Sequence, residues 1–289
     1  MGGAKSLRRH GIQAGAVTTL RRAHWREYAI EAALLSAFML SAATFATLLQ
    51  HPQSPLFVGP GEDIRVRVPM GLAMGLTAIA LIYSPWGARS GAHMNPAVTL
   101  TFWRLRKIKA HDAVMYVAAQ GLGGLVGIAI ATWVLAELPA HPSVNYVATV
   151  PGASGAGVAA LAELSISCGL MLAVLVFSNH PRLAKCTGIA AGTLVCAYVV
   201  FESPLSGMSM NPARSLGPAV LAGTLDSMWV YVFGPAVGML IAAEIYQRVG
   251  GAALVRCAKL HHASHLPCIH CGSGVAAPGG SARGEEVSV

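Results

Sequence analysis

Six long apolar stretches, separated by short polar ones, set the plan of this chain. They cover roughly residues 28–50, 67–84, 111–136, 157–178, 184–201 and 227–247. Each is near the roughly 20 residues a helix needs to cross a bilayer. Two further helical segments, Pro96 to Trp103 and Pro212 to Leu221, are too short to cross. Polar residues 88–94 lead into the first, and Glu202 to Met210 lead into the second. Broken backbone at membrane depth is tolerated only where protein or a cavity encloses it. The order is span, span, half-span, span, given twice. Three crossings per repeat invert the second repeat, so the half-spans enter from opposite faces. The pattern predicts an all-α membrane protein with six transmembrane helices and two re-entrant half-helices in an inverted repeat.

Composition agrees with a membrane chain. Of 289 residues, 54% are hydrophobic and 11% charged, against about 25% charged in soluble domains. The net charge of +8 invites a nucleic-acid reading, but its distribution removes that reading. On the six-span plan, seventeen of the twenty basic residues fall on one side, with Arg65 and Arg67 near the other face and Arg214 within the membrane motif. The positive-inside rule then places both termini in the cytoplasm, in a plasma or bacterial inner membrane with lipid as the surrounding partner. Three segments follow: a basic N-terminal segment 1–27, a membrane region 28–247 with repeats 28–136 and 157–247, and a Cys/His-containing tail 248–289, expected to be largely disordered. Four-spaced glycines (Gly71 and Gly75, Gly188 and Gly192, Gly234 and Gly238) mark faces for close helix packing.

The chemistry gathers at two related phrases. Ser90-Gly91-Ala92-His93-Met94-Asn95-Pro96-Ala97 and Ser206-Gly207-Met208-Ser209-Met210-Asn211-Pro212-Ala213-Arg214 lie 116 residues apart. Asn95 and Asn211 are suited to cap helices that open with Pro96 and Pro212. Each half-helix turns its N-terminus, with its unpaired donors and partial positive charge, into the protein. Two such ends meeting form a centre that repels cations. The Asn95 and Asn211 amides are expected to offer N–H donors to a passing water or hydroxyl, and the entry loops to offer carbonyl acceptors. Arg214 is a charge inside the membrane motif and therefore a functional candidate; the bland alternative is an arginine snorkelling to the interface. Glu31 and Glu163 stand early in the first and fourth spans. A buried carboxylate must be hydrogen-bonded, so each is expected to hold a re-entrant loop, with Gln120 helping in the first half; proton carriage is the alternative. His93 reads equally as a lining residue of the inner mouth and as a satisfied buried histidine.

These phrases, with Ser215-Leu216-Gly217-Pro218, Glu31, Glu163 and Gln120, make the chain resemble the major intrinsic protein family of aquaporins and glycerol facilitators over residues 25–247. The run from Ser206 to Pro218 is similar to the nodulin-26-like branch. The resemblance implies a homotetramer with one pore per subunit, passive flow of water or small neutral solutes, and proton exclusion. It also implies a four-residue outer constriction. Arg214 takes the arginine place, Ser209 the loop place and Val199 the fifth-span place, where orthodox water channels carry histidine. The second-span place falls on Met74, or on Gly75 by straight counting. Neither is a bulky aromatic, so the ring is expected to be moderately wide. Water with some small-solute passage is the favoured function. A glycerol, urea or metalloid-hydroxide facilitator is the alternative, and an ion channel or closed structural protein ranks lower. No nucleophile, base and orienter set supports an enzyme.

The tail adds Cys257, His261, His262, His265, Cys268, His270 and Cys271. Cys268 and Cys271 have metal-ligand spacing, and Cys257, His265, Cys268 and Cys271 form the candidate zinc set. No other cofactor is expected.

Overall fold

The computed structural model describes residues 24–250, 255–262 and 268–273. The N-terminal basic cluster before residue 24 and the candidate ligand His265 lie outside the described residues. Six described helices are long and apolar enough to span a membrane. They are α1 (Trp25–Gln50), α2 (Ile64–Tyr83), α5 (Ala110–Val134), α6 (Gly155–Asn179), α7 (Thr187–Phe201) and α10 (Met228–Gly250), the spans of α7 and α10 beginning in the preceding turns at Ala184 and Leu225, with short helices α3 (Pro85–Ser90) and α4 (Pro96–Arg104) between α2 and α5, and α8 (Ser203–Ser206) and α9 (Pro212–Ala222) between α7 and α10. The two polar entries read from the sequence as loops each contain one of these extra short helices, α3 or α8. Ser84 caps α3 by accepting from the Gly87 N–H, and Pro85 opens it. Pro204 stands in the first turn of α8.

The packing follows the internal repeat. α1 lies along α5, and α6 lies in the same way along α10. α2 pairs with α7 across the middle. Each half-helix crosses to the other repeat: α4 packs on α10, and α9 packs on α5. This exchange locks the repeats together, because neither half-helix can be seated without the other half's third span. At the α2–α7 contact a Cβ on Gly75 would stand 2.6 Å from the Gly192 carbonyl oxygen, so the two backbones touch where side chains would hold them apart. The outward faces remain apolar, with Leu72, Leu76, Leu122, Trp133, Leu161 and Phe233 exposed as lipid would require.

Part of the tail, read from the sequence as largely disordered, is folded. Val255, Cys257, Ala258, Lys259, Leu260 and Cys268 are all buried. The Leu260 N–H donates to the Gly91 carbonyl at 3.1 Å, and the Arg256 N–H donates to Asn179 Oδ1 at 2.7 Å. These bonds lay the segment against the end of the helical bundle at the first entry loop. Backbone N–H groups of this segment find their acceptors there, on one backbone carbonyl and one side-chain oxygen of the bundle.

Candidate functional site

Both half-helices begin as the capping argument predicts. Asn95 Oδ1 accepts from the Ala97 N–H at 2.8 Å. Asn211 Oδ1 accepts from the N–H groups of Ala213 and Arg214 at 3.1 and 3.2 Å. The amide nitrogens do more than face the lumen. Asn95 Nδ2 donates to the Met210 carbonyl and Asn211 Nδ2 to the Met94 carbonyl, both at 2.7 Å. Each carboxamide nitrogen has two hydrogens. One of the two ties its own half-helix to the opposite loop.

The entry loops are strained and held. Gly91 and Gly207 end α3 and α8 in the left-handed region. Ala92, Met94, Met208 and Met210 then also have positive φ, although they carry side chains. Each such residue costs about 1–2 kcal/mol and persists only where its surroundings over-determine it. Two carboxylates supply that constraint. Glu31 Oε1 accepts from Ser90 Oγ at 2.7 Å and the His93 N–H at 3.1 Å. Its Oε2 accepts from the Met94 N–H at 2.6 Å and Gln120 Nε2 at 2.9 Å. Glu163 Oε1 accepts from Ser206 Oγ and the Ser209 N–H, and its Oε2 from the Met210 N–H, all at 2.7 Å. Both glutamates are fully buried, which would be prohibitive for a carboxylate without these donors. Gln120 gives the first loop a fourth donor.

A second pair of struts was not legible in the sequence. The Tyr116 hydroxyl donates to the Ser90 carbonyl at 2.7 Å, and the Tyr231 hydroxyl to the Ser206 carbonyl at 2.6 Å. A tyrosine within an apolar run looks like any core aromatic; only the place of its hydroxyl, one per repeat, reveals the role.

The half-helix junction lies in a cavity of about 1030 Å³. Its walls run from Pro60 and Glu62 past Arg214, Asn211 and Asn95 to His93 and Leu260. Met74, Val199 and Ser209 also line it. Gly75 faces α7 instead, in the backbone contact described above. Arg214 Nη1 donates to the Val147 carbonyl at 3.2 Å, which turns the guanidinium into the cavity rather than out along a lipid-facing surface. Ser209 Oγ donates to the Asn211 carbonyl at 3.0 Å and lies 2.6 Å from Ser215 Oγ.

His93 is buried and lines the cavity. Its Nε2 donates to the Ala258 carbonyl at 2.7 Å, which leaves Nδ1, 3.0 Å from Thr99 Oγ1, to accept from that hydroxyl. Its ring stacks on Phe102 and on His270 of the tail. In the tail itself, Cys257, His262, Cys268 and Cys271 bring one donor atom each to within 4.8 Å of one another. His262 is the histidine of this cluster among the described residues. Cys257 Sγ lies 3.5 Å from Cys268 Sγ, and this contact holds the Cys268 thiol below the ordinary thiol range while pushing Cys257 up.

Six membrane-crossing helices, two half-helices and a continuous polar-marked cavity between them define a multi-pass α-helical membrane protein of the paired half-helix type. The chain belongs to the major intrinsic protein family, whose model matches residues 20–246. Among curated proteins it is 36% identical over 176 residues to the putative aquaporin NIP4-1 of Arabidopsis thaliana, an alignment covering 61% of this chain and 60% of that one. It is 32% identical over 221 residues to the glycerol uptake facilitator protein-like 6 of Lactiplantibacillus plantarum, covering 75% of this chain and 95% of the relative. The chain thus spans about 60% of the length of the plant relative. The fold matches the X-ray structure of the aquaglyceroporin from Plasmodium falciparum with a TM-score of 0.63, at 21% identity, covering 78% of this chain and 96% of that one.

Proposed function

We propose that this protein is a passive membrane channel for water and small neutral solutes. Family membership makes it a transport protein rather than an enzyme. The observation that carries the reading is the reciprocal Asn95–Asn211 lock at the junction of two half-helix N-termini, inside one cavity with Arg214. At that junction a neutral hydroxyl accepts a hydrogen bond from the remaining amide hydrogens. A cation meets two positive helix ends and the guanidinium of Arg214, and finds too few acceptors to replace its hydration shell. Protons are excluded by the same field.

Selectivity is assigned to Met74, Val199, Ser209 and Arg214. Three of these side chains are small or flexible, and none is aromatic, so the ring admits molecules larger than water. That width supports the second reading, a facilitator of glycerol, urea or metalloid hydroxides with water as a minor permeant. Homotetrameric assembly, with one passage per subunit and both termini cytoplasmic, completes the proposal. The basic residues of the α2–α5 and α6–α7 connections and of the tail share one face, which supports that orientation.

The test is stopped-flow light scattering on proteoliposomes challenged with an impermeant osmolyte, glycerol and urea in parallel, with Val199→Trp as the comparison. Rapid re-swelling in glycerol or urea that Val199→Trp abolishes is the expected result. Fast water flux with solutes excluded in the unaltered protein refutes the wide ring and leaves a water channel.

A further inference from the structure

The geometry points to a metal-stapled plug: Cys257, His262, Cys268 and Cys271 bind one zinc-class divalent ion, and the knot so formed closes the tail-side mouth of the cavity. The donor set comes first. Four ligand atoms from three cysteines and one histidine lie within 4.8 Å of one another. Cys257 Sγ is 3.5 Å from Cys268 Sγ, and His262 Nε2 is 3.2 Å from Cys271 Sγ. Zinc–sulfur bonds of about 2.3 Å put the edges of a tetrahedron near 3.8 Å. These two separations are close to that figure, and a single ion at the centre would draw all four donors. Four protein ligands with no open position make a structural site, and three thiolates select a soft ion over magnesium or calcium.

Two features outside the ligands fit the same ion. The first is the Cys268–Cys271 turn, which carries two of the four ligands on one short stretch of backbone. The turn is closed by the Gly272 N–H donating to the Cys268 carbonyl at 2.9 Å, with Gly272 at positive φ. Lys259 is the second feature. Its side chain is only 2% exposed, and its ammonium donates to the Ala88 carbonyl at 2.8 Å. A buried ammonium requires a counter-charge. Three thiolates around a dication leave one negative charge, which is the sign of counter-charge Lys259 requires. Binding releases the thiol protons to solvent, so ion and fold are coupled.

The knot sits on the passage. Leu260 lines the cavity beside His93. The Leu260 N–H takes the Gly91 carbonyl, and the Ala258 carbonyl takes His93 Nε2. His270, carried on the Cys268–Cys271 turn, stacks on the His93 ring at 5.8 Å and places its Nε2 3.2 Å from the Ser90 carbonyl. Every one of these anchors belongs to the first entry loop. With the ion in place the segment is cross-linked over that loop. Without it, a piece this short has too little core to stay folded, and the mouth opens.

The closure rests on the channel reading, while the ion site does not. The experiment uses the full chain, purified reduced and reconstituted into liposomes. Cobalt is the spectroscopic probe and zinc the closing ion. Expected are one cobalt per chain with the charge-transfer and ligand-field bands of a tetrahedral thiolate site, both lost in Cys268→Ser/Cys271→Ser and in His262→Ala. Osmotic water flux is expected to rise several-fold when a permeant chelator removes zinc. The same rise is expected in Cys268→Ser/Cys271→Ser without chelator, and Cys186→Ser, an exposed cysteine outside the cluster, should behave as the unaltered protein. Absence of a stoichiometric tetrahedral cobalt spectrum, or a Cys257–Cys268 disulfide as the sole product, overturns the site. A bound ion whose removal leaves flux unchanged overturns the plug. No flux in any form overturns the closure together with the channel reading, and the cobalt spectrum still decides the site.

Discussion

Asn95 and Asn211 each hold down the other's loop. Through Nδ2, Asn95 bonds the carbonyl of Met210 and Asn211 that of Met94, at the same 2.7 Å, while each Oδ1 caps its own half-helix. One side chain therefore fixes a helix start, the approach of the two repeats and the direction of a lumen donor. Replacing Asn211 by aspartate keeps the cap acceptor and removes the donor. The carboxylate then faces the Met94 carbonyl with nothing to offer it and introduces a negative charge at the positive centre. Asn211→Asp is expected to lower thermal stability by about 1–3 kcal/mol and to raise cation leak across liposomes. Unchanged leak in a folded variant would show that the field at the junction does not exclude cations.

The glutamates make a sharper case, because their oxygens serve several donors at once. In Glu163→Gln one oxygen becomes an NH2 group that confronts an N–H or hydroxyl donor of the Ser206–Met210 loop. A charge-assisted bond is worth about 1.5–3 kcal/mol, and here a repulsive donor contact replaces at least one. The loop also loses the constraint that offsets the positive-φ strain at Met208 and Met210. Glu163→Gln is expected to cost at least about 3 kcal/mol, read as a fall in unfolding temperature and in yield of folded protein. Glu31→Gln should behave alike, and Gln120→Leu, which removes one of four donors, should be milder. A proton-carrying role predicts the opposite: intact stability with altered pH-dependent flux.

The tyrosine struts give a smaller, paired effect. Tyr116→Phe and Tyr231→Phe each leave a carbonyl of a re-entrant loop, Ser90 or Ser206, without its hydroxyl donor. Tyr231→Phe is expected to cost about 1–2 kcal/mol and Tyr116→Phe less, because His270 Nε2 also stands 3.2 Å from the Ser90 carbonyl; the double substitution is expected to depart from the sum, since the Asn95–Asn211 lock couples the two loops. A stability series by thermal unfolding checks this. No loss in either variant would mean that water replaces the hydroxyl.

How much of this was legible depended on whether a side chain or a backbone carries it. The spans could be read because the bilayer demands about 20 apolar residues, and the half-helices because Asn-Pro fixes a helix start in three residues. Glu31 and Glu163 stood out as lone charges in apolar runs. The carbonyls of Met94 and Met210 carry no sequence signal, so the reciprocal lock could not be foreseen from the motifs. α3 and α8 were missed because helices this short, rich in Pro, Ser and Gly, look like turns. In the tail, Cys268-x-x-Cys271 marked the candidate ligands, but spacing alone could not choose among the neighbouring histidines. That choice depends on how the chain from Lys259 to His262 is laid against the first loop.

Met74 and Gly75 separate two ways of counting the second-span filter place, and the fold gives them opposite surroundings. Met74 borders the cavity, whereas Gly75 faces the Gly192 carbonyl of α7. Enlarging Met74 to phenylalanine adds bulk within a passage that already holds a side chain. Enlarging Gly75 to valine drives a branched side chain into backbone, at the central contact of the two repeats, where relief requires moving a whole helix. Met74→Phe is thus expected to fold with near-normal stability, to reduce glycerol and urea re-swelling strongly and to spare water flux. Gly75→Val is expected to lose several kcal/mol of stability, as overpacking at an inflexible contact does, with solute and water flux falling together in proportion to folded protein. Solute rejection by a stable Gly75→Val, with Met74→Phe indistinguishable from the unaltered channel, would move the constriction to position 75 and require the α2 face to be rotated from the one described.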